Sequence, residues 1–231
     1  MSFEIFKTNM TSFFLNTKES DLPTPTIEQE DPNNLGETIE VLDIDAELTK
    51  IARKITDEYH LAMASAIQES GGTFRPINPA IYNAGMNSAK ELIFAAILAV
   101  LITMHKKGAK PSTVLMLPIG AAVIAYWTVA LSPGSFLPVP MPFAPPYTAP
   151  SPGTLVLFPG NPRPIVKGFK DAFSKYDNER DFNVALSNML DDIIKGFKDH
   201  LATVSGIYVG LVPAGLVLVP TPTTWKGVKV Q

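Results

Sequence analysis

The sequence predicts a mainly α protein: a helical body with an extended proline-rich arm and a few short edge β-strands. Three observations carry that expectation. Apolar residues recur by threes and fours over several long segments, the period of an amphipathic helix. From Pro111 to Pro162 the chain runs 52 residues without Asp, Glu, Lys, Arg or His, and the second half of that run is crowded with proline. Two short β-rich runs, LVLFP (Leu155 to Pro159) and LVLVP (Leu216 to Pro220), are bounded by Pro and Gly, which suits edge strands pairing with one another or with neighbouring subunits.

Taken in order, residues 1–45 form an acidic N-terminal arm. Phe3, Phe6, Met10, Phe13 and Phe14 fall at helical spacing and predict a short amphipathic helix, while LPTPTIEQEDPNNLGET reads as an extended connector. Residues 46–132 are the first part of the helical core. Ile44, Leu48, Ile51, Ile55, Tyr59, Ala62 and Ala66 trace one buried stripe, with Gly71 and Gly72 marking its end. Residues 73–86 read as a loop, and Ser88, Lys90 and Glu91 open a second helix. Between Leu92 and Met104 that helix is apolar on every face apart from Thr103, which places it centrally. At 1.5 Å per residue the apolar stretch rises about 20 Å, short of the roughly 30 Å of a bilayer core.

Val114 to Leu131 is a third apolar segment, read as a buried helix starting near Pro118, since proline is tolerated in a first turn. Residues 133–163 are the proline-rich arm. Held as polyproline II, Phe136 to Arg163 would reach about 87 Å, against a radius of gyration of about 17 Å for a compact chain of this length. A free linker is normally charged or rich in Gly and Ser, so an arm mixing Pro with Phe, Leu, Val and Tyr needs a surface to lie on. Residues 164–206 complete the core, with stripes Ile165, Phe169, Ala172, Phe173, Tyr176 and Phe182, Leu186, Met189, Ile193, Phe197, Leu201, Val204. Asp181 caps the second of these helices and Gly206 ends it. Residues 207–231 are an extended apolar C-terminal tail.

Two echoes mark this half: LVLFP against LVLVP, and IVKGFKDAF (165–173) against IIKGFKDHL (193–201). The latter is read as convergence of two amphipathic helices rather than as duplicated docking helices, because the flanks do not match.

Composition narrows the function. Hydrophobic residues make up 46% of the 231 and charged residues 18%, below the roughly 25% of an ordinary soluble domain, so part of the surface is expected to be covered. The net charge of −3 hides an asymmetry: ten acidic residues against Lys7 and Lys18 up to position 45, then 12 acidic against 17 basic. Neutralisation within the chain and docking on a basic neighbour both follow. The body's basic residues are scattered rather than interleaved with aromatics, so nucleic acid is not an expected partner. No basic and apolar leader opens the chain.

Chemistry is sparse. With no cysteine there is no disulfide framework, thiolate zinc site or Cys nucleophile. His60, His105 and His200 lie far apart without metal-ligand spacing, and His60 and His200 read as boundary residues of the helical body. Asp191 and Asp192 are adjacent and so point to different sides of a helix, a solvated face rather than a catalytic pair. FPGNP (158–162) lacks the Lys and glycines of a phosphate loop. Tyr126 and Trp127 suit a binding platform or core packing, and their apolar surroundings favour the core.

AVIAYWTVAL (122–131), the proline-rich stretch after it, DHLATVSGIYVG (199–210) and the terminal PTPTTWKGVKV with Trp225 and Gly227 together resemble structural proteins of tailed bacteriophages, particularly contractile-tailed phages of the cyanophage type. The likeness runs in order of features from about residue 85 to the end, with Val129 standing where the family has a small residue. It implies a virion part assembled in the host cytoplasm, no enzyme, with no catalytic residue, cofactor or metal, whose partners are other virion proteins and copies of itself. A tail or baseplate component is expected, with capsid decoration or a neck protein as the alternative. A membrane-active, holin-like hairpin over residues 92–131 is the alternative of another class. Tyr126, Trp127, Phe136, Phe143, Tyr147, Phe158 and Trp225 are the candidate core or interface anchors, since aromatics dominate desolvated contacts.

Overall fold

Six helices and eight strands follow one another in a computed structural model that describes residues 2–19, 26–30, 38–63, 66–70, 73–76, 79–130, 156–214 and 217–230. Helices dominate, as expected from the periodicity. The proline-rich arm, including Phe136, Phe143 and Tyr147, lies outside the described residues.

Helix α1 (Phe3–Glu19) buries Phe3, Phe6 and Met10 against the body, with Phe13 and Phe14 half-buried. Phe3 and Phe6 pack on the ring of Phe197, at 6.1 and 6.0 Å between centroids. The expected connector is instead an antiparallel hairpin, β1 (Thr26–Glu30) and β2 (Thr38–Leu42). Its two-residue alternation, TIEQE against TIEVL, is masked in the sequence by the flanking prolines.

Helix α2 (Ile44–Met63) buries Ala52, Ile55, Tyr59, Ala62 and Met63. It stops earlier than expected: Ala66 already belongs to β3 (Ala66–Ser70), which pairs with β4 (Thr73–Pro76), and Gly71 and Gly72 lie outside the described residues. Helix α3 (Pro79–Lys107) starts nine residues before Ser88, so much of the expected loop is helical. Pro79 sits in the first position, where its missing N–H is not needed.

Helix α3 is not central. Ile93, Ile97 and Val100 are buried while Leu92, Ala95 and Ala99 face outward. Helix α4 (Thr113–Ala130) packs beside it, burying Met116, Ile119, Val123, Tyr126 and Trp127. Pro118 lies inside α4 rather than in its first turn. It stands on the exposed side, where the carbonyl it leaves without a donor can meet water.

Helices α5 (Arg163–Asn178) and α6 (Phe182–Leu201) follow the expected stripes. Asp181 caps α6, its Oδ1 accepting from the backbone N–H of Asn183 at 2.9 Å and Val184 at 3.1 Å. The helix ends at Leu201, before Gly206, which lies in a strand. The echoed glycines meet: a Cβ on Gly168 would stand 2.8 Å from the carbonyl oxygen of Asp192 and 2.9 Å from the Cα of Gly196. The repeated IxKGFKD pattern is therefore the close crossing of one helix pair, in which backbone touches backbone.

The C-terminal segment is a hairpin rather than a single extended tail. Strand β6 (Ser205–Ala214) pairs with β7 (Val217–Lys226) over ten residues, and β5 (Val156–Phe158) joins the other side of β6. The two LVL runs thus occupy opposite edges of one three-stranded sheet and do not pair with each other. Strand β8 (Val228–Val230) crosses to β3 in a second small sheet.

Candidate functional site

At the centre of the fold is a polar knot among aromatics. Trp127 Nε1 donates to Tyr59 Oη at 2.8 Å, and Tyr126 Oη lies 2.7 Å from His60 Nδ1. Tyr59 packs on Phe197 at 4.4 Å between ring centroids, and burial pushes its phenol well above the ordinary range. Tyr126 and Trp127 are fully buried. They are core anchors, and their polar atoms are satisfied inside the protein, which leaves nothing to present as a platform.

The histidines divide differently from the expectation. His60 is half-buried, whereas His200 is fully buried and no boundary residue. His200 Nδ1 lies 3.0 Å from the carbonyl oxygen of Asn161, so it must carry the proton and donate. Nε2 is then a bare acceptor, without a hydrogen-bond partner among the described residues. Burial lowers the pKa of His200, and burial followed by the nearby Lys90 lowers that of His60. The turn before α5 is built around His200: Gly160 has φ +91° and a Cβ there would stand 2.8 Å from the imidazole.

Asp191 and Asp192 serve two ion pairs, with Lys7 of α1 and Lys175 of α5, both at 2.6 Å. They tie helices together rather than activate a substrate. Among the described residues no group of three or more His, Asp and Glu side chains could hold a metal ion. Of the remaining candidates, Phe158 on edge strand β5 is 49% exposed, and Trp225 stands opposite Gly206 in the β6–β7 register.

What the surface offers is apolar. Leu92 on α3 is 52% exposed, and Val114 and Leu117 on α4 are 75% and 52% exposed. Ala95, Ala99 and Ala121 continue these outward stripes. No charged side chain interrupts α3 between Glu91 and His105, or α4 at all. These exposed apolar side chains are the candidates for a contact surface on the two helices.

The second feature is an apolar groove of about 560 Å³ where α1, α2, α3, α5 and α6 converge. Phe14, Leu48, Ile51, Leu101, Met104 and Tyr176 line it, and the loop Gly108 to Lys110 forms one rim. Sequence reasoning missed it, because its lining comes from five separate stripes that each look like ordinary core. Compared with known proteins, the chain matches no family model, no curated protein and no solved structure.

Proposed function

We propose that this chain is a structural subunit of a tailed-phage particle, a tail or baseplate component that staples adjacent subunits. The observation that supports this best is the uncharged outer face of α3 and α4, where Leu92, Val114 and Leu117 are exposed among the described residues. The uncharged sequence from Leu131 to Leu155, with Phe136, Phe143 and Tyr147 as aromatic anchors, offers a second segment suited to docking on neighbours. Tyr126 and Trp127 support the same role from inside by holding α4 rigid, so that its outer face is presented in one geometry. Capsid decoration or a neck position differs only in where the subunit sits.

Immunogold labelling and quantitative mass spectrometry of particles from the phage that encodes the chain test this. The expected result is a fixed copy number that survives washing with high salt. Abundant chain in infected cells with none in purified particles would overturn it.

One observation favours a membrane-active hairpin as the second reading. The stretch Asn87–Lys107 has a mean hydropathy of 1.6 and is long and apolar enough to cross a bilayer, and a third of it is buried inside the fold. Insertion would strip Ile93, Ile97 and Val100 from the core and break the tie from Trp127 to Tyr59. We therefore rank it second. Flotation of the detergent-free chain with lipid vesicles would reverse that order, and a chain left at the bottom of the gradient would remove the membrane from consideration.

A further inference from the structure

We infer that the groove lined by the five helices is a binding site for one free fatty acid, which lays its acyl chain along the apolar walls and sets its carboxylate beside Lys110 at the mouth. Such a site is complete in one chain and stands or falls apart from any assembly.

Burial sorts the lining from inside to outside. Ile55, Phe173 and Met189 are at most 6% exposed and form the floor. Leu48 and Ile51 of α2 and Leu101 and Met104 of α3 are half-buried and form the walls. His105 and Lys110 are exposed and stand at the mouth. The volume of about 560 Å³ lies within the range of roughly 300–1,000 Å³ that small-molecule sites occupy.

The few polar groups decide the class of ligand. The lining contains no Asp or Glu, and its polar side chains are Tyr176 in the wall and His105 and Lys110 at the mouth. Asp45, at the start of α2, is taken by Lys106 at 2.6 Å. Lys110 makes no ion pair among the described residues, so its ammonium is available to an anion at the mouth. The His105 ring carries an N–H to donate in either protonation state. An anionic head is therefore met at one end only, and the rest of the ligand has to be apolar.

A saturated chain meets that condition, because it brings no polar group to be stripped of water. Each methylene moved into the groove tightens binding by about fourfold. An extended peptide in the same place would carry N–H and C=O groups between walls whose side chains offer them only the Tyr176 hydroxyl, and a sugar or nucleotide fails on the same ground.

Titration calorimetry of the full chain, stripped of bound lipid and mixed with monomeric laurate, tests the site. One laurate per chain is expected, with affinity that falls at high salt. Decanoate, two methylenes shorter, is expected to bind about tenfold more weakly. Lys110→Glu changes an exposed loop residue and is expected to weaken decanoate by about tenfold or more, while decanol, of equal length and uncharged, stays within about twofold. Leu101→Trp narrows the wall and is expected to abolish both, with thermal unfolding confirming that the variant is folded; should it not fold, the Lys110→Glu comparison decides alone. A wild type that takes up no laurate, uptake of many laurates per chain, decanoate binding that Lys110→Glu leaves unchanged, or a folded Leu101→Trp that binds as the wild type does would each overturn the assignment.

Discussion

The fold contains two antiparallel helix pairs that solve the same packing problem with opposite surfaces. Helices α5 and α6 are complete in one chain: apolar stripes face inward, glycines meet at the crossing, and the outer positions carry the ion pairs Lys167–Asp171 and Lys195–Asp199. Helices α3 and α4 bury one face equally well, through Ile93, Ile97, Met116 and Val123, and then present Leu92, Val114 and Leu117 outward with no charge among them. Burial on one side accounts for folding. Nothing among the described residues accounts for the other side, so the two pairs separate what this sequence spends on its own stability from what we propose it keeps for a neighbour.

The largest expected effect lies in the self-sufficient pair. Gly196→Ala places a Cβ 2.9 Å from the carbonyl oxygen of Pro164 and 3.1 Å from the Cα of Gly168, both backbone atoms that cannot rotate away. Alanine is the better helix former by about 1 kcal/mol, yet forcing two helices apart costs about 1–3 kcal/mol and disturbs Phe169 and Phe197 beside the crossing. Net destabilisation in urea-induced unfolding is therefore expected despite the gain in propensity. A more stable variant would show that α5 and α6 can separate freely and would erase the contrast with α3 and α4.

These two pairs were legible to different degrees. The stripes of α5 and α6 stand out because charged residues alternate with apolar ones, so both helices, their inward faces and the Asp181 cap can be read directly. Helices α3 and α4 could be located but not oriented, since a segment apolar on every face carries no periodicity to say which side is buried. The IxKGFKD echo was visible, but pattern alone does not show that Gly168 and Gly196 face each other. The β1–β2 hairpin was missed because Pro23, Pro25 and Pro32 suggested a connector more strongly than five-residue strands suggested a sheet. The groove was beyond reach for a geometric reason: its lining comes from five different helices.

A second, smaller effect comes from acid, and it acts on the end of the α5–α6 pair. His200 is held neutral by burial, so its pKa in the folded chain lies below the ordinary 6.5. The unfolded chain therefore takes up the proton first as pH falls. The stability this contributes is fully present above the unfolded value and is lost as pH drops from there towards the folded one. His60 is shifted in the same direction and adds to the slope. Unfolding midpoints in urea are expected to decrease between pH 7.5 and 5.5, and the decrease should shrink in His200→Gln. A midpoint that rises on acidification over that range would mean that His200 finds a partner for Nε2 when charged.

The smallest expected effect on stability is the most informative about α3 and α4. Leu117 is half exposed and stands on the outer stripe of α4 beside Val114 and Ala121, away from Tyr126 and Trp127. Leu117→Lys puts a good helix former at a solvated position, so the change in unfolding free energy should stay within about 0.5 kcal/mol. If the outer face exists for a neighbour, the same substitution should block incorporation into assembled particles, because burying an unpaired ammonium is far more costly than exposing a leucine. A variant that is both stable and incorporated at the wild-type level would show that the face remains open to water in the assembly. A variant that unfolds would show that α4 depends on Leu117 for its own packing, and the division between the two helix pairs would then fail at its foundation.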